Sequence, residues 1–343
     1  MENSTQSSIQ FGFPSPEIFK LPPSQPYKPA ASLRAPPSNI YEPTFFYPFE
    51  IHPDVYHAAL NIRFVLTFSL AYVTTVLFWN QYNTSRQYKP WAISRTFIFK
   101  AFVFMHNTLL SLFSAWVLGG ILHGFYVHGP SAEGKDNYLA HLAEYLCQPD
   151  PDAFRQQGAT YMGCLFYLSK YYEVVDTLII LAGGKKSSTL QTYHHAGVIL
   201  CGWSAVFFES PMGAVGVLLN ATVHTLMYAY FAIQTLGIRV PMSIKRSLTG
   251  IQIAQFLIGM VWSVSYLLLK YKVPSNIPET RGNVSIALES HISRVDSSID
   301  SYTMMSCISD SGEANVYFVT NLYLLPLIYL FVQFFIRSYR KQK

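Results

Sequence analysis

Seven apolar runs, each near or above the ~20 residues that cross a bilayer as a helix, succeed one another along this chain: 58–79, 97–120, 160–182, 190–208, 212–235, 248–269 and 315–336. The second can extend through Tyr126. The expectation is an all-α polytopic membrane protein of about seven transmembrane helices. Charge content agrees, because 13% Asp, Glu, Lys and Arg is about half the roughly 25% of a soluble domain. Residues 1–50 contain no apolar stretch of the kind that precedes a cleavage site. Targeting is therefore expected of the first spanning helix.

Three regions follow from this pattern. Residues 1–57 are Pro- and Ser-rich (LPPSQPYKPAASLRAPPSN) and read as an extended, largely unpacked arm. It ends in Phe45, Phe46, Tyr47 and Phe49, residue types that settle at a membrane interface. Residues 58–336 form the helical domain, and 337–343 a basic tail. Arg86, Lys89 and Arg95, then Lys185 and Lys186, then Arg239, Lys245 and Arg246, and finally the tail RSYRKQK, fall in alternate connections. The positive-inside rule puts these four segments in the cytosol and the N-terminal arm in the lumen. Glu133, Asp136, Glu144, Asp150, Asp152 and Glu209 lie in the opposite connections. The RKQK ending is similar to a dilysine signal for retrieval to the endoplasmic reticulum. Asn3 and Asn283 are the glycosylation sequons that would be lumenal, whereas Asn83 would be cytosolic and Asn220 buried. Cys147 and Cys307 share the lumenal side, where an oxidising compartment permits a bridge, two free thiols being the alternative. Cys164 and Cys201 lie within helices as small packing residues.

The third and fourth runs carry groups that a bilayer ordinarily excludes: Lys170, Glu173, Asp176, Gln191, His194 and His195. A charge at the centre of a spanning helix costs from roughly 2.5 kcal/mol upward, so such groups face one another or a wet cavity and mark functional sites. Residues 170, 173 and 176 share about a third of a helix circumference, and 191, 194 and 195 share one face. A buried ion cluster that only fixes helix packing is the bland reading of the first set. The fifth run adds Asn220, His224, Met227 and Tyr228 on one stripe, and the sixth Thr249, Gln252 and Gln255. In the second, His106 and Asn107 either line a site or bond between helices, as Ser111 and Ser114 do in the simpler reading. At ~1.5 Å per residue, His194 lies roughly 6 Å and Asp176 roughly 9 Å from the cytosolic ends of their helices, with His224 near 16 Å. The polar cluster is thus expected in the cytosolic half, with apolar and aromatic residues beyond it. A substrate with a polar head and a long apolar tail, held in a narrow tunnel, matches that gradient.

The chain resembles the very-long-chain fatty-acid elongases, the 3-ketoacyl-CoA synthases of the endoplasmic reticulum. The resemblance rests on four motifs in order: Lys170-x-x-Glu173-x-x-Asp176-Thr177, Gln191-x-x-His194-His195, Asn220-x-x-x-His224-x-x-Met227-Tyr228-x-Tyr230, and Thr249-x-x-Gln252-x-x-Gln255. His106–Asn107 resembles the pair on that family's second helix. One departure stands out. Gln191 replaces the first histidine of the box, a change that some fungal members share. Glutamine can orient a neighbour but neither titrates nor competes with imidazole for metals, so no metal is expected here.

The resemblance implies condensation of acyl-CoA with malonyl-CoA to 3-ketoacyl-CoA, carbon dioxide and CoA, with no cofactor. No cysteine lies on the polar faces, which leaves imidazole as nucleophile. His194 would attack the thioester, with His195, Asn220 and His224 orienting it or stabilising the oxyanion and enolate. Tyr228, Tyr230, His106, Asn107, Gln191, Gln252 and Gln255 would support substrate. Lys170 would either pair with Glu173 and Asp176 or meet the malonyl carboxylate or a CoA phosphate. Lys185, Lys186, Arg239, Lys245 and Arg246 are candidates for CoA phosphates. Alternatively the histidines act only as acid and base while the enolate attacks acyl-CoA directly. Expected partners are the endoplasmic reticulum membrane and the reductases and dehydratase of the elongation cycle, with a homo-oligomer compatible and no nucleic acid. Three rivals are weaker. A di-iron desaturase needs several histidine boxes, a seven-helix receptor has no use for the Lys–Glu–Asp set, and a proton-coupled transporter should show internal repeats.

Overall fold

The computed structural model describes residues 9–22, 44–129, 138–147, 159–274 and 302–339. Most of the Pro-rich arm, Asn3, Asn283, Glu133, Asp136, Asp150, Asp152 and the last four residues of the basic tail lie outside the described residues, as does the side chain of Glu144. Ten α-helices occur among the described residues: α1 (Pro53–Leu60), α2 (Ile62–Ser85), α3 (Phe97–His128), α4 (Tyr138–Cys147), α5 (Ala159–Glu173), α6 (Val175–Ala182), α7 (Thr189–Phe207), α8 (Met212–Thr235), α9 (Met242–Leu268) and α10 (Ser311–Tyr339). Their starts follow from capping chemistry. Asn61 Oδ1 accepts the Arg63 N–H at 3.0 Å to open α2, and Thr96 Oγ1 accepts the Phe99 N–H at 3.1 Å to open α3. The Ser188 hydroxyl accepts the Gln191 N–H at 3.2 Å and so opens α7 just ahead of the histidine pair.

Five of these helices, α2, α3, α8, α9 and α10, are long and apolar enough to cross a membrane. The expected runs at 160–182 and 190–208 do form helix, but in another form. The first is broken at Val174 into α5 and α6, and the second is a 19-residue α7 carrying Gln191 and both histidines. The two pieces of the first are too short to span alone, and in α7 the polar groups Gln191, His194 and His195 lower the hydropathy.

Helices α5, α7, α8, α9 and α10 pack around a common interior, with α7 against α5 and α10, α9 against α10 and α8, and α8 against α5. Helix α2 packs outside on α7, and α3 runs along α8, where the Ser111 hydroxyl donates to the Thr225 carbonyl at 2.9 Å. Cores of Tyr56, Tyr167, Ile199, Phe207, Phe208 and Tyr266, and of Phe256, Tyr323, Leu324 and Leu327, lie on either side of the interior.

A small antiparallel sheet sits at the end where α9 stops. Strand β1 (Ile9–Phe11) pairs with β2 (Leu269–Pro274), Ile9 opposite Tyr271, and β2 pairs with β3 (Tyr302–Ser306), Tyr271 opposite Met305. This part of the N-terminal arm is therefore packed, against the expectation of a solvated tail. Its three residues satisfy the β2 edge, which would otherwise present unpaired backbone groups. Close by, Cys147 and Cys307 form a disulfide with Cα atoms 4.5 Å apart.

Candidate active site

Three polar groupings meet where α5, α6, α7 and α8 come together. In the first, Lys170 Nζ donates to Glu173 Oε1 at 2.7 Å and to Asn220 Oδ1 at 3.4 Å, and lies 3.6 Å above the Phe166 ring. Lys170 and Glu173 are 2% and 1% exposed, so each charge depends on the other. The Ser169 hydroxyl also donates to Glu173 Oε1 at 2.9 Å, and His224 Nδ1 stands 3.7 Å from Oε2. The partner of Lys170 is Glu173; Asp176 belongs to the second grouping.

That second grouping is built by the break at Val174. Glu173 ends α5 and Asp176 enters the first turn of α6, where a helix N-terminus favours a carboxylate. Asp176 Oδ1 meets His106 Nε2 at 2.7 Å, and Oδ2 accepts the Tyr228 hydroxyl at 2.6 Å. His106 Nδ1 is 3.0 Å from the Tyr172 hydroxyl, so both ring nitrogens are engaged. His195 Nε2 lies 4.0 Å from Asp176 Oδ2 and receives the Gln191 side-chain N–H at 2.8 Å. Gln191 thus touches the second histidine of its own stripe, one turn along α7. Thr177, the last residue of the Lys–Glu–Asp–Thr motif, is hydrogen-bonded to Tyr72 of α2 at 2.9 Å.

The third grouping joins His194 to α10. His194 Nδ1 and the Tyr323 hydroxyl are 2.7 Å apart, and the two histidine rings of α7 meet edge to face at 5.4 Å. Tyr323 is absent from the motifs read in the sequence. Its signal there is weak: it is one of three tyrosines, with Tyr317 and Tyr329, in a run read as apolar.

His194 also lines a largely apolar cavity enclosed by α5, α7, α8, α9 and α10. Of the site's histidines, His106, His195 and His224 do not reach its wall. At the same end stand Lys170, Asn220, Gln255 and Tyr323. Beyond them the wall is Val198, Val206, Val217, Phe256 and Leu324, with Gly163, Gly202, Gly213, Gly216 and Gly259 leaving room between. A polar, histidine-bearing end joined to a long apolar channel can hold an amphiphile with its reactive carbon beside an imidazole.

Other sequence-derived candidates sit apart from this meeting point. The Asn107 side chain donates to the Val103 carbonyl of its own helix at 2.8 Å, and the Tyr230 hydroxyl accepts from Gln234 at 2.7 Å. Gln252 faces Met227 Sδ at 3.2 Å rather than the cavity. Lys185, Lys186, Arg239, Lys245 and Arg246 are all exposed. The first two belong to a turn held against α2, where Asn83 donates to the Leu181 and Lys185 carbonyls at 2.8 and 2.9 Å. Lys186 stands 5.8 Å from the centre of the Tyr88 ring. The Tyr88 phenol is held below its ordinary pKa, first by its hydrogen bond with Thr84 and then by Lys186. No group of three or more His, Cys, Asp or Glu among the described residues is arranged to hold a metal ion.

Comparison with known proteins places this chain in a family. The chain is 31% identical over 170 residues to fatty acid elongase sre1 of Dictyostelium discoideum, covering 49% of this chain and 59% of that protein. It is 29% identical over 182 residues to fatty acid elongase 2 of Trypanosoma brucei brucei, 51% and 62% of the two chains. To fatty acid elongase 2 of Trypanosoma cruzi it is 25% identical over 252 residues, 73% and 77%. The matched stretches thus span between 59% and 77% of these relatives' lengths. No solved structure matches. The family match itself runs over residues 57–343, from the second half of α1 through all the site helices, and the chain belongs to the ELO family, the GNS1/SUR4 family.

Proposed function

We propose that this protein is a condensing enzyme of fatty-acid elongation, joining acyl-CoA to malonyl-CoA to give 3-ketoacyl-CoA, carbon dioxide and CoA. One observation carries this reading: His194 is the histidine on the wall of the apolar cavity, and its Nδ1 is occupied by Tyr323. When Nδ1–H donates to the Tyr323 hydroxyl, Nε2 keeps its lone pair and can act as nucleophile. The acyl chain then lies along the channel with its thioester carbonyl at His194.

Nε2 attacks that carbonyl, the C–S bond breaks, and CoA leaves as a thiolate that takes a proton from solvent. Malonyl-CoA next loses carbon dioxide, and the electrons of the broken C–C bond form an enolate. Its carbon attacks the acyl carbonyl, the C–N bond to His194 breaks, and the imidazole is restored. Decarboxylation supplies the carbanion, so no strong base is required. Lys170 and Asn220, at the same end of the cavity, would stabilise oxyanion and enolate, with His195 and His224 behind them. The reaction as written needs no cofactor, metal or redox partner. The basic residues Lys185, Lys186, Arg239, Lys245 and Arg246 would take CoA phosphates. Their charge bias favours a lumenal N-terminus and a cytosolic C-terminus, and the elongase reading puts the protein in the membrane of the endoplasmic reticulum.

Purified protein in detergent should incorporate label from malonyl-CoA into acyl-CoA, and His194→Ala should abolish it. Acyl-CoA alone should leave a labelled acyl chain on the wild-type protein. Incorporation without any trapped acyl chain would replace the covalent route by direct attack of the enolate on acyl-CoA. No incorporation at all overturns the enzyme reading.

A further inference from the structure

The far end of the cavity is not apolar. Opposite His194, roughly 20 Å along α7, the wall is made by Thr160 in the first turn of α5, by Glu209 and Ser210 after α7, and by Trp262 of α9. This is the disulfide end of the molecule, since Trp262 packs on Tyr266, whose hydroxyl donates to the Cys147 carbonyl at 3.1 Å. Three of these groups lack a hydrogen-bond partner: Thr160 Oγ1, Ser210 Oγ and Trp262 Nε1 are buried and unpaired. Buried polar atoms are nearly always satisfied, and leaving one unmade costs its full desolvation penalty. A fatty-acyl methyl terminus would leave all three unmade.

The backbone of this end follows from how α7 stops. Glu209 has φ of +46°, the left-handed conformation that ends a helix: its N–H donates to the Val206 carbonyl at 3.2 Å and the Ser210 N–H to the Ala205 carbonyl at 2.9 Å. That stop brings the Ser210 hydroxyl to the cavity wall.

We propose that the channel is built for acyl chains whose terminal carbon carries a hydrogen-bonding group, namely ω-hydroxyacyl thioesters. The hydroxyl donates to the Ser210 or Thr160 oxygen and accepts from the Trp262 N–H. The chain between the two polar ends lies against Val198, Val206, Val217 and Phe256. This inference rests on the elongase reading and adds to it a substrate class. Water bound at the far end is the competing arrangement, and it predicts no preference.

The test is a comparison of hexadecanoyl-CoA with ω-hydroxyhexadecanoyl-CoA, each with labelled malonyl-CoA, on full-length protein in detergent. The expected result is a kcat/KM about tenfold or more higher for the hydroxylated chain, because a site built to bond a hydroxyl discriminates against the chain that lacks it. Thr160→Val, Ser210→Ala and Trp262→Phe, singly and combined, should bring that ratio toward unity. Reading the ratio within each preparation removes any loss of folded protein. Equal or faster elongation of the plain chain by wild type overturns the inference and leaves the elongase reading intact. So does a ratio unchanged in all the variants. Absence of product from both chains overturns the two together.

Discussion

At the scale of single residues, the site depends on pairings that a bilayer makes obligatory. Lys170 and Glu173 are almost wholly buried and 2.7 Å apart. Removing one partner of a buried pair leaves an uncompensated charge and costs about 3–5 kcal/mol, whereas removing both can be near neutral. Lys170→Met should therefore lower the thermal midpoint in detergent sharply, and the Lys170→Met/Glu173→Met double variant should recover much of it. If the double variant is as unstable as the sum of the singles, the pair is not the stabilising unit. Tyr323→Phe addresses the other contact. It removes the hydroxyl from His194 Nδ1 and keeps the ring that stacks on Tyr193. A hydrogen bond to a group that becomes charged is worth about 1.5–3 kcal/mol, so kcat should fall about ten- to a hundredfold with KM little changed. An unchanged kcat would remove Tyr323 from the mechanism. The histidines, Lys170, Glu173 and Asp176 were legible because charge in an apolar run has few explanations. Tyr323 was not, because one phenol in a long apolar helix looks like any buried aromatic until α7 packs on α10.

At the scale of elements, the approach of α7 to α10 sets the His194–Tyr323 distance, and Gly197 controls it. A Cβ at position 197 would come within 2.5 Å of Tyr323 Cδ2. Gly197 lies one turn beyond His194 on the same helix, so a methyl group there pushes the ring away from the imidazole it contacts. Gly197→Ala should reproduce the kcat loss of Tyr323→Phe, and in a Tyr323→Phe background it should add little. Additive losses would mean that the glycine acts elsewhere. The apolar runs matched α7 and α8 to within a residue but missed the end of α2 and the start of α9 by six, and they read 160–182 as one span. The break at Val174 is invisible in composition: no proline or glycine marks it, and Thr177 and Leu178 both bond back to the Val174 carbonyl. Glu173 meets Lys170 one turn back on α5, and beyond the break Asp176 meets His106. The sheet escaped notice for another reason, since its strands are three to six residues long and lie far apart in the chain.

At the scale of the whole molecule, the two ends differ in how they are held. The histidine end is tied by side-chain bonds such as Asn80 to Ser187 and Asn83 to Leu181 and Lys185. The other end is closed by the sheet and by the Cys147–Cys307 disulfide, which spans 160 residues of sequence. A cross-link over so long a loop restricts the unfolded chain strongly, and removing a native disulfide costs about 2–5 kcal/mol. The bond is remote from His194, and the channel lies between. Cys147→Ser/Cys307→Ser should thus unfold at a lower temperature than wild type, and reductant should lower the wild-type midpoint without affecting the variant. Well below either midpoint, elongation of a short acyl chain that does not reach Trp262 should proceed at the wild-type rate, because the histidine end is supported independently. Loss of that rate in folded, disulfide-free protein would show that the two ends are mechanically coupled through the channel wall, and that the closed end contributes to catalysis as well as to stability.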